Sequence, residues 1–371
     1  VSHGLFAALS VLVVACPCVV GLATPVALAA GLNKAARNHI LIRDTSALEQ
    51  MRNVDVVVFD KTGTLTEGHP TVIGWLWAQG QEEHYKDVLL AAESTSDHPL
   101  AEAIVTALEG EEQVIPAHLD GFESIAGKGV RVAYQGAEYW VGSHKLLKDY
   151  QANLSDILAD MLTQYESDGN SIVYFGREND LLAVIAIKDQ LRVTSMEAIR
   201  ELRIQDIEIC MLTGDGERTA SSVAGSLGIM RFVADAMPDD KEDFIHKLQL
   251  QGKTVAMVGD GVNDAQALSC ADVSIAMGKG TDTLMDTAMI TLRTSDLLLL
   301  PKVFRLSRQT VSLMYRNLFW AFIYNTVGIF VAAGVLYPVY DILLSPALAG
   351  AAMALSCVSV ALSSLRLSSR F

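Results

Sequence analysis

The stretch Val54-Asp55-Val56-Val57-Val58-Phe59-Asp60-Lys61-Thr62-Gly63-Thr64 decides the fold. Its opening run is short, apolar and largely β-branched, and turn residues bound it, so it reads as a buried strand of a parallel sheet. Asp60 then stands at the strand's carboxyl end, where open α/β sheets place their chemistry. A carboxylate there can attack phosphorus and become an aspartyl phosphate, splitting one hard step into two. Lys61 and the Thr62-Gly63-Thr64 turn add positive charge and close backbone approach. Taken alone, the same residues also describe an ordinary strand and turn.

The chain downstream repeats the pattern. A helix-like segment from Val193 to Leu202 leads into the strand Ile207 to Leu212, which ends in Thr213-Gly214-Asp215. Phe232 to Asp235 is a further strand, followed by a helix entered through Met237-Pro238-Asp239-Asp240-Lys241. Thr254 to Val258 ends in Gly259-Asp260-Gly261-Val262-Asn263-Asp264, and Val273 to Met277 and Ala288 to Leu292 complete a parallel sheet of about six strands. Strand ends thereby gather Asp60, Thr213, Lys241 and the Asp260, Asn263 and Asp264 cluster on one rim. Phosphoryl transfer needs a nucleophile, a hydroxyl and an ammonium on the phosphoryl oxygens, and carboxylates for Mg²⁺. Asp60 and Asp260 suit Mg²⁺, which takes one or two carboxylates with waters and phosphate oxygen.

Between the nucleophile strand and this second half, Glu67-Gly68-His69-Pro70 marks a boundary. From about Thr71 to Ile187 the pattern turns to short strands and two or three helices, an inserted domain of roughly 115 residues. Within Glu93-Ser94-Thr95-Ser96-Asp97-His98-Pro99-Leu100-Ala101, Pro99 suits the first helical position and puts His98 at the helix entrance. Free amides there favour an anion such as a nucleotide, and a plain helix cap with a surface histidine reads as well. Gly127-Lys128-Gly129 permits close backbone approach to a ligand, or is a simple turn.

Both ends of the chain read as membrane segments. Gly4 to Leu32 contains no charged side chain, about 29 residues against the ~20 a bilayer needs. It closes on Lys34, Arg37 and Arg43, which marks that end as cytoplasmic. Inside it lies Cys16-Pro17-Cys18. Pro17 removes an amide donor and unwinds the helix, letting two sulfurs that an intact helix would part turn to one side. Such breaks line sites inside membrane bundles. Two soft thiolates suit Cu(I), and Ag(I) by analogy, better than a hard cation. A kinked apolar helix with two inert cysteines is the plainer alternative. At the other end, apolar runs Leu318 to Val335 and Leu343 to Leu365 flank a loop with Pro338 and Asp341. Basic residues lie only at the outer ends of this hairpin, so both ends read as cytoplasmic. Tyr324, Asn325, Met353, Ser356 and Cys357 put polar or soft groups at membrane depth, with Met353 and Cys357 on one helix face. Interhelical hydrogen bonding and plain packing are the competing readings.

Composition agrees. The 371 residues are 51% apolar with positive mean hydropathy, unusual for a soluble protein. A formal charge of −15 excludes nucleic acid as an expected partner. Five cysteines form no disulfide framework by spacing, and Cys16 and Cys18 read as too close for an ordinary bridge. The chain opens at Val1, already at the edge of an apolar run without a signal-peptide cleavage site, and is expected to begin partway through a larger membrane protein.

These residues resemble the heavy-metal-transporting P-type ATPases, specifically the Cu(I) exporters, over the whole chain. Asp60 to Thr66, Thr213 to Asp215 and Gly259 to Leu268 are similar to that family's phosphorylation-domain motifs, and Ser96 to Ala101 to its His-Pro nucleotide-domain signature. The resemblance implies an α/β fold plus membrane helices: a haloacid-dehalogenase-like doubly wound parallel sheet with an inserted α+β nucleotide-binding domain and about three transmembrane helices. The expected divisions are a Cys-Pro-Cys helix at 1–33, a stalk and first part of the phosphorylation domain at 34–66, the nucleotide domain at 67–187, the second part of the phosphorylation domain at 188–300, and a stalk with two membrane helices at 301–371. It further implies that Asp60 is phosphorylated, with Lys61, Thr62, Thr213, Gly214, Asp215, Lys241, Asn263 and Asp264 as its catalytic neighbours. Asp60, Thr62 and Asp260 would hold Mg²⁺, and Glu93, His98, Gly127, Gly129 and Gly142 would line the ATP site. Cys16, Cys18, Tyr324, Asn325, Met353 and Cys357 would carry Cu(I). A soluble copper chaperone as donor, a bacterial plasma membrane and cytoplasmic catalytic domains are implied too.

Two residues depart from the family pattern. Ser356-Cys357 stands where the family has Ser-Ser, and Gly142-Ser143 where it has Gly-Asn. The lysine and Asp-Gly pair of zinc exporters are not found. The family's actuator domain with its Thr-Gly-Glu loop, its first membrane helices and any cytosolic metal-binding domain are absent from the sequence, so this chain alone is expected to bind ATP and phosphorylate without completing a pump cycle. A Zn²⁺/Cd²⁺ pump, a membrane-tethered phosphatase of the same fold and a non-enzymatic metal-binding module are the rival readings.

Overall fold

A computed structural model describes residues 2–78, 82–96, 98–111, 114–152, 156–260, 264–278, 287–340 and 344–369. The chain forms two compact units, Val54–Leu298 and a second made of Val1–Asn53 with Leu299–Phe371.

In the first unit, six described strands run parallel: β1 (Val56–Asp60), β8 (Glu208–Leu212), β9 (Arg231–Val233), β10 (Val255–Gly259), β11 (Val273–Met277) and β12 (Ile290–Leu292). Their order is β12-β11-β10-β1-β8-β9. β1, β10 and β11 are buried at every position, as expected of strands covered on both faces. Val56, Val58, Cys210, Leu212, Val255 and Met257 pack under Ile245 and Leu248 of one helix and Ala267 and Leu268 of another.

The insertion after β1 is an antiparallel sheet with strand order β2-β7-β6-β5-β4-β3. Its strands are β2 (Thr71–Trp77), β3 (Gly121–Ile125), β4 (Gly129–Tyr134), β5 (Ala137–Gly142), β6 (Ser171–Arg177) and β7 (Asp180–Lys188). Among the described residues four helices accompany it, Glu82–Glu93, Pro99–Glu109, His144–Asp149 and Asp156–Ser167, where the sequence pattern suggests two or three. Two aromatic-rich clusters cover its faces, one around Tyr139 and Phe175 and the other around Trp140 and Tyr174. Trp140 is fully buried, stacks on Tyr150, and donates from Nε1 to the Glu178 carbonyl at 2.9 Å.

In the second unit the N-terminal apolar run is two helices, α1 (Ser2–Val14) and α2 (Cys18–Arg37), interrupted at Ala15–Pro17. The C-terminal hairpin is α6 (Leu299–Ala332) and α7 (Pro346–Ser369). Small residues let these helices meet: a Cβ on Gly31 would lie 2.6 Å from Thr310 Oγ1, and one on Gly328 2.7 Å from Val14. Asn317 Nδ2 donates to Ser364 Oγ at 3.1 Å, a buried hydrogen bond between α6 and α7. By length and composition two segments among the described residues are apolar enough to cross a membrane, Gly4–Arg37 and Pro346–Leu367, where about three helices are expected. The apolar part of α6 is diluted by Arg316, Asn317, Tyr324, Asn325 and Thr326, which explains the shortfall. The stalk after Arg37 is a short strand, Ile40–Ile42, and a helix, Ser46–Gln50.

Trp140→Ala is expected to cost about 3–5 kcal/mol and to lower the thermal midpoint of the purified chain followed by circular dichroism. An unchanged midpoint would contradict the packing of the insertion.

Candidate functional site

The parallel pairing of β10 with β1 sets Val258 opposite Phe59, so Asp60 and Asp260 emerge side by side at the carboxyl rim. β1 pairs with β8 so that Asp60 faces Leu212, and Thr213 follows directly. Asp60, Asp260 and Asp264 bring carboxylate oxygens within 4.8 Å of one another. The ammonium among them comes from α4 (Pro238–Leu250): Lys241 Nζ donates to Asp60 Oδ1 at 2.6 Å and to Asp264 Oδ1 at 2.7 Å. Asp264 is the N-cap residue of the next helix, α5 (Ala265–Cys270). Burial lowers the Lys241 pKa, but the two carboxylates outweigh it and hold the ammonium above its ordinary value.

Three carboxylates with one ammonium are undercompensated. Desolvation, reinforced by the Asp60 and Asp264 charges, pushes Asp260 up to about 7. Asp264 is likewise raised, by burial and then by Asp60. A hard divalent cation would relieve this crowding, and the all-oxygen donor set of Asp60, Asp260 and Asp264 fits Mg²⁺. Asp264 thus joins the two carboxylates expected from sequence. Thr62 sits half-buried and extended in the turn beyond Asp60.

That turn is shaped by a glycine. Gly63 has φ +70°, and any Cβ there would run into the Asp260 carboxylate. Lys61 was expected to bring positive charge to the nucleophile; instead its Nζ pairs with Asp215 and donates to Ser171 Oγ at 3.0 Å. Asp215 lies in the turn after β8, where its amide donates to Thr213 Oγ1 at 3.1 Å and Gly214 is exposed. Asn263 lies outside the described residues.

Sequence reasoning missed the groups that hold the turn. Arg192, nearly buried, donates from Nε to the Thr64 carbonyl at 2.9 Å and from its other end to the Gly63 carbonyl. Asp189 accepts from Thr66 Oγ1 and from the Gly68 amide at 3.1 Å. Backbone bonds close the same neck: Glu67 N to Gln190 O at 2.8 Å, Arg192 N to Leu65 O at 3.0 Å, and a Thr66–Leu191 bridge. The signal was the charged run Lys188-Asp189-Gln190-Leu191-Arg192, whose partners lie more than a hundred residues upstream.

His98 caps the helix α3 (Pro99–Glu109), its Nδ1 accepting from the Leu100 amide at 3.2 Å. Its exposed ring is nonetheless crowded by protein. That desolvation lowers its pKa, against the pull of Asp215, and Lys61, Asp60 and Lys241 also act on it. Glu93 is buried, and burial pushes its carboxyl up to about 7. Gly129 and Gly142 face each other across β4 and β5, and each would clash with the opposite backbone if it bore a Cβ. The close approach they permit is therefore strand to strand. Gly127 (φ +66°) packs against Met237, the residue capping α4. Ser143 Oγ beside it is buried without a partner among the described residues.

In the membrane-type unit, the break at Ala15–Pro17 turns both sulfurs to one side, as the proline predicts, and Cys16 and Cys18 are joined as a disulfide with Cα atoms 5.5 Å apart. This corrects the reading that they are too close to bridge; outside a helix the two side chains need not diverge. Met353 and Cys357 pack in one cluster with Ala23 and with Val19, the residue after Cys18. Asn325 Oδ1 is buried without a partner among the described residues. Tyr324 does not join that cluster: it is 54% exposed and lines a 480 Å³ groove with Trp320 and Ser356.

Because Asp260 holds its proton to about 7, Mg²⁺ affinity is expected to rise about tenfold per pH unit below that value and then level off. Without metal the sign reverses. A carboxyl raised in the folded state contributes stability in acid and loses it as pH climbs to about 7. Calorimetric titration with Mg²⁺ and thermal midpoints across pH check both trends, and Asp260→Asn should weaken them, leaving the share of the likewise raised Asp264.

Residues 54–272 match the family described as haloacid dehalogenase-like hydrolase. A copper-exporting P-type ATPase of Legionella pneumophila is 43% identical over 366 residues, 99% of this chain and 50% of that protein. A silver exporting P-type ATPase of Salmonella typhimurium is 44% identical, covering 99% of this chain and 44% of its own length. The chain thus spans about half the length of the curated relatives it matches. Among solved structures, a zinc-transporting PIB-type ATPase in an E2.Pi state aligns at TM-score 0.66 and 34% identity, over 95% of this chain and 56% of that one. The catalytic domain of the CPx-ATPase CopB-B aligns at TM-score 0.61 and 28% identity, over 73% of this chain and 96% of that one. The chain belongs to the haloacid dehalogenase-like hydrolase family, and its likeness to heavy-metal P-type ATPases extends over nearly its whole length.

Proposed function

We propose that the chain is the catalytic and C-terminal membrane part of an ATP-driven Cu(I) exporter, with Ag(I) as the soft congener, working through an aspartyl phosphate on Asp60. The observation that carries this reading is the pairing in one chain of an Asp60–Lys241–Asp264 cluster at a sheet rim with a proline-broken apolar helix that brings two sulfurs together. The first is a phosphoryl-transfer centre, and the second suits a soft monovalent ion. The lettering of its relatives as copper and silver exporters supports the same cargo.

In this mechanism ATP enters beside Glu93, His98 and the Gly127 to Gly142 strands. Lys241 fixes one oxygen of Asp60 and leaves the other to attack the γ-phosphorus. The new Oδ–P bond forms as the bond to the β,γ-bridging oxygen breaks, and ADP departs. Thr213, placed one residue beyond Asp60's strand partner, supplies its hydroxyl to the phosphoryl oxygens. Lys241, already charged, needs no proton transfer to stabilise the growing negative charge. Asn263 is the remaining polar group of this set. Asp60, Asp260 and Asp264, with Thr62 nearby in the chain, would hold Mg²⁺, which would supply charge neutralisation to the phosphoryl oxygens. Phosphorylation then gates a Cu(I) path through Cys16 and Cys18, with Met353, Cys357 and the amide of Asn325 along it and Tyr324 at its edge. The thiolate pair binds metal only when the disulfide is reduced. A soluble copper chaperone delivers the ion, and the head faces the cytoplasm from a bacterial plasma membrane.

The test is acid-stable phosphoprotein formation from γ-labelled ATP. The adduct is expected with Mg²⁺, to depend on Cu(I) or Ag(I) under reducing conditions, and to vanish in Asp60→Asn. Cys16→Ala with Cys18→Ala should remove the metal dependence. An Asp60 adduct that ignores copper and silver but responds to Zn²⁺ would reassign the cargo, and no adduct in the reduced, Mg²⁺-loaded chain would overturn the enzyme. Lys241→Met should cut the labelling rate by about a hundredfold or more, read by quenched flow.

A further inference from the structure

On the helix that carries Lys241, the next residue and the one a turn later point elsewhere. Glu242 and His246 stand four apart on α4 and share a face, and Cys270 closes α5 opposite them. One ligand atom from each of the three lies within 4.8 Å of the others. Glu242 and Cys270 are half-buried and His246 is exposed. The cluster is separate from the Asp60, Asp260 and Asp264 oxygens, and nothing in the phosphoryl-transfer reading uses it.

Hydrogen bonds through Gln249 orient the imidazole and tie its helix to the end of α5. Gln249 Nε2 donates to the Cys270 carbonyl at 2.8 Å and to Asp272 Oδ2 at 3.3 Å. With its NH₂ group so engaged, Gln249 turns Oε1 toward His246 Nδ1, 3.1 Å away. Nδ1 therefore carries the proton, and in the neutral ring Nε2 is the bare nitrogen, 3.5 Å from Glu242 Oε1. A ring nitrogen held in this way by an amide behind it is how proteins present histidine to a metal.

We propose that Glu242, His246 and Cys270 bind a borderline divalent transition-metal ion, Zn²⁺ by ligand preference. A carboxylate, an imidazole and a thiolate make a mixed O, N, S set that Zn²⁺ takes in tetrahedral geometry, with water as the fourth ligand. Mg²⁺ would shun the sulfur, and Cu(I) the carboxylate. The Cys270 thiol, which donates to the Ala267 carbonyl at 3.3 Å, gives up its proton to solvent on binding, and its sulfur turns to the ion as a thiolate. Its position gives the ion a structural effect. It would tie α4 to α5, the two helices whose starts present Lys241 and Asp264 to Asp60. The inference is independent of which ion the chain transports.

Co²⁺ is the probe, added to the reduced full-length chain bearing Cys16→Ser and Cys18→Ser, with Mg²⁺ in excess. The expected result is one equivalent of Co²⁺ with tetrahedral d–d bands and a thiolate-to-cobalt charge-transfer band, displaced by Zn²⁺. Cys270→Ser should abolish the charge-transfer band, and Gln249→Ala should weaken Zn²⁺ binding by about 10–100-fold. His246→Gln, on the exposed side of α4, should weaken it at least as much while leaving the circular dichroism unchanged. No charge-transfer band in the parent, or the same band in Cys270→Ser, would show that Glu242 and His246 are an ordinary ion pair of one helix face.

Discussion

The architecture turns on like charges held together at the end of a sheet. Three carboxylates converge within 4.8 Å, and one ammonium, Lys241, bonds two of them. At an effective dielectric near 20, two such charges repel by about 3 kcal/mol or more. Folding sets this repulsion in place: the register of β10 on β1 forces Asp60 and Asp260 into adjacency, and Asp264 begins α5 at the same rim. The hydrophobic core beneath the rim holds these strands in register, and the rim remains poised for a cation and a phosphoryl group.

The same economy of charge explains the neighbouring contacts. Lys61 could have neutralised the cluster, yet it lies against Asp215 and Ser171. Arg192 also stays off the carboxylates and grips the carbonyls of Gly63 and Thr64. Burial lowers its pKa, while Asp260 and Asp189 pull the other way. Lys61 and Arg192 thus brace a partner acid and backbone, and among the described residues Lys241 alone bonds the nucleophile.

Much of this is visible in the sequence where the governing physics is local. A strand covered on both faces must be a continuous apolar run, so Val56 to Phe59 announces itself and its last residue marks the rim. A proline at the middle of an apolar span must break it, and α1 and α2 part at that point. His98 before Pro99 is a helix start by covalent geometry alone. What escaped reading depends on partners distant in sequence. Asp189 and Arg192 acquire meaning only against a turn more than a hundred residues earlier. The bond between Cys16 and Cys18 follows from the local path of the chain beyond a helix, which spacing does not reveal. Gly129 and Gly142 are pinned by each other across a strand pair, a register that no single stretch displays. The polar residues of α6 explain why a span expected from its apolar run falls short of the length-and-composition criterion.

The neck between sheet and insertion carries a mechanical consequence. Outgoing and returning chains are laced by two backbone bonds, a bridge and the Asp189 contacts, all within a few residues of Thr66. Two strands fixed side by side behave as a ribbon: compliant about the axis across its width, stiff to shear within its plane. The insertion is mounted on such a ribbon, which starts a few residues beyond the loop that begins at Asp60. On the returning chain the guanidinium of Arg192 holds the carbonyls of Gly63 and Thr64, so the lacing reaches the turn beside the nucleophile itself.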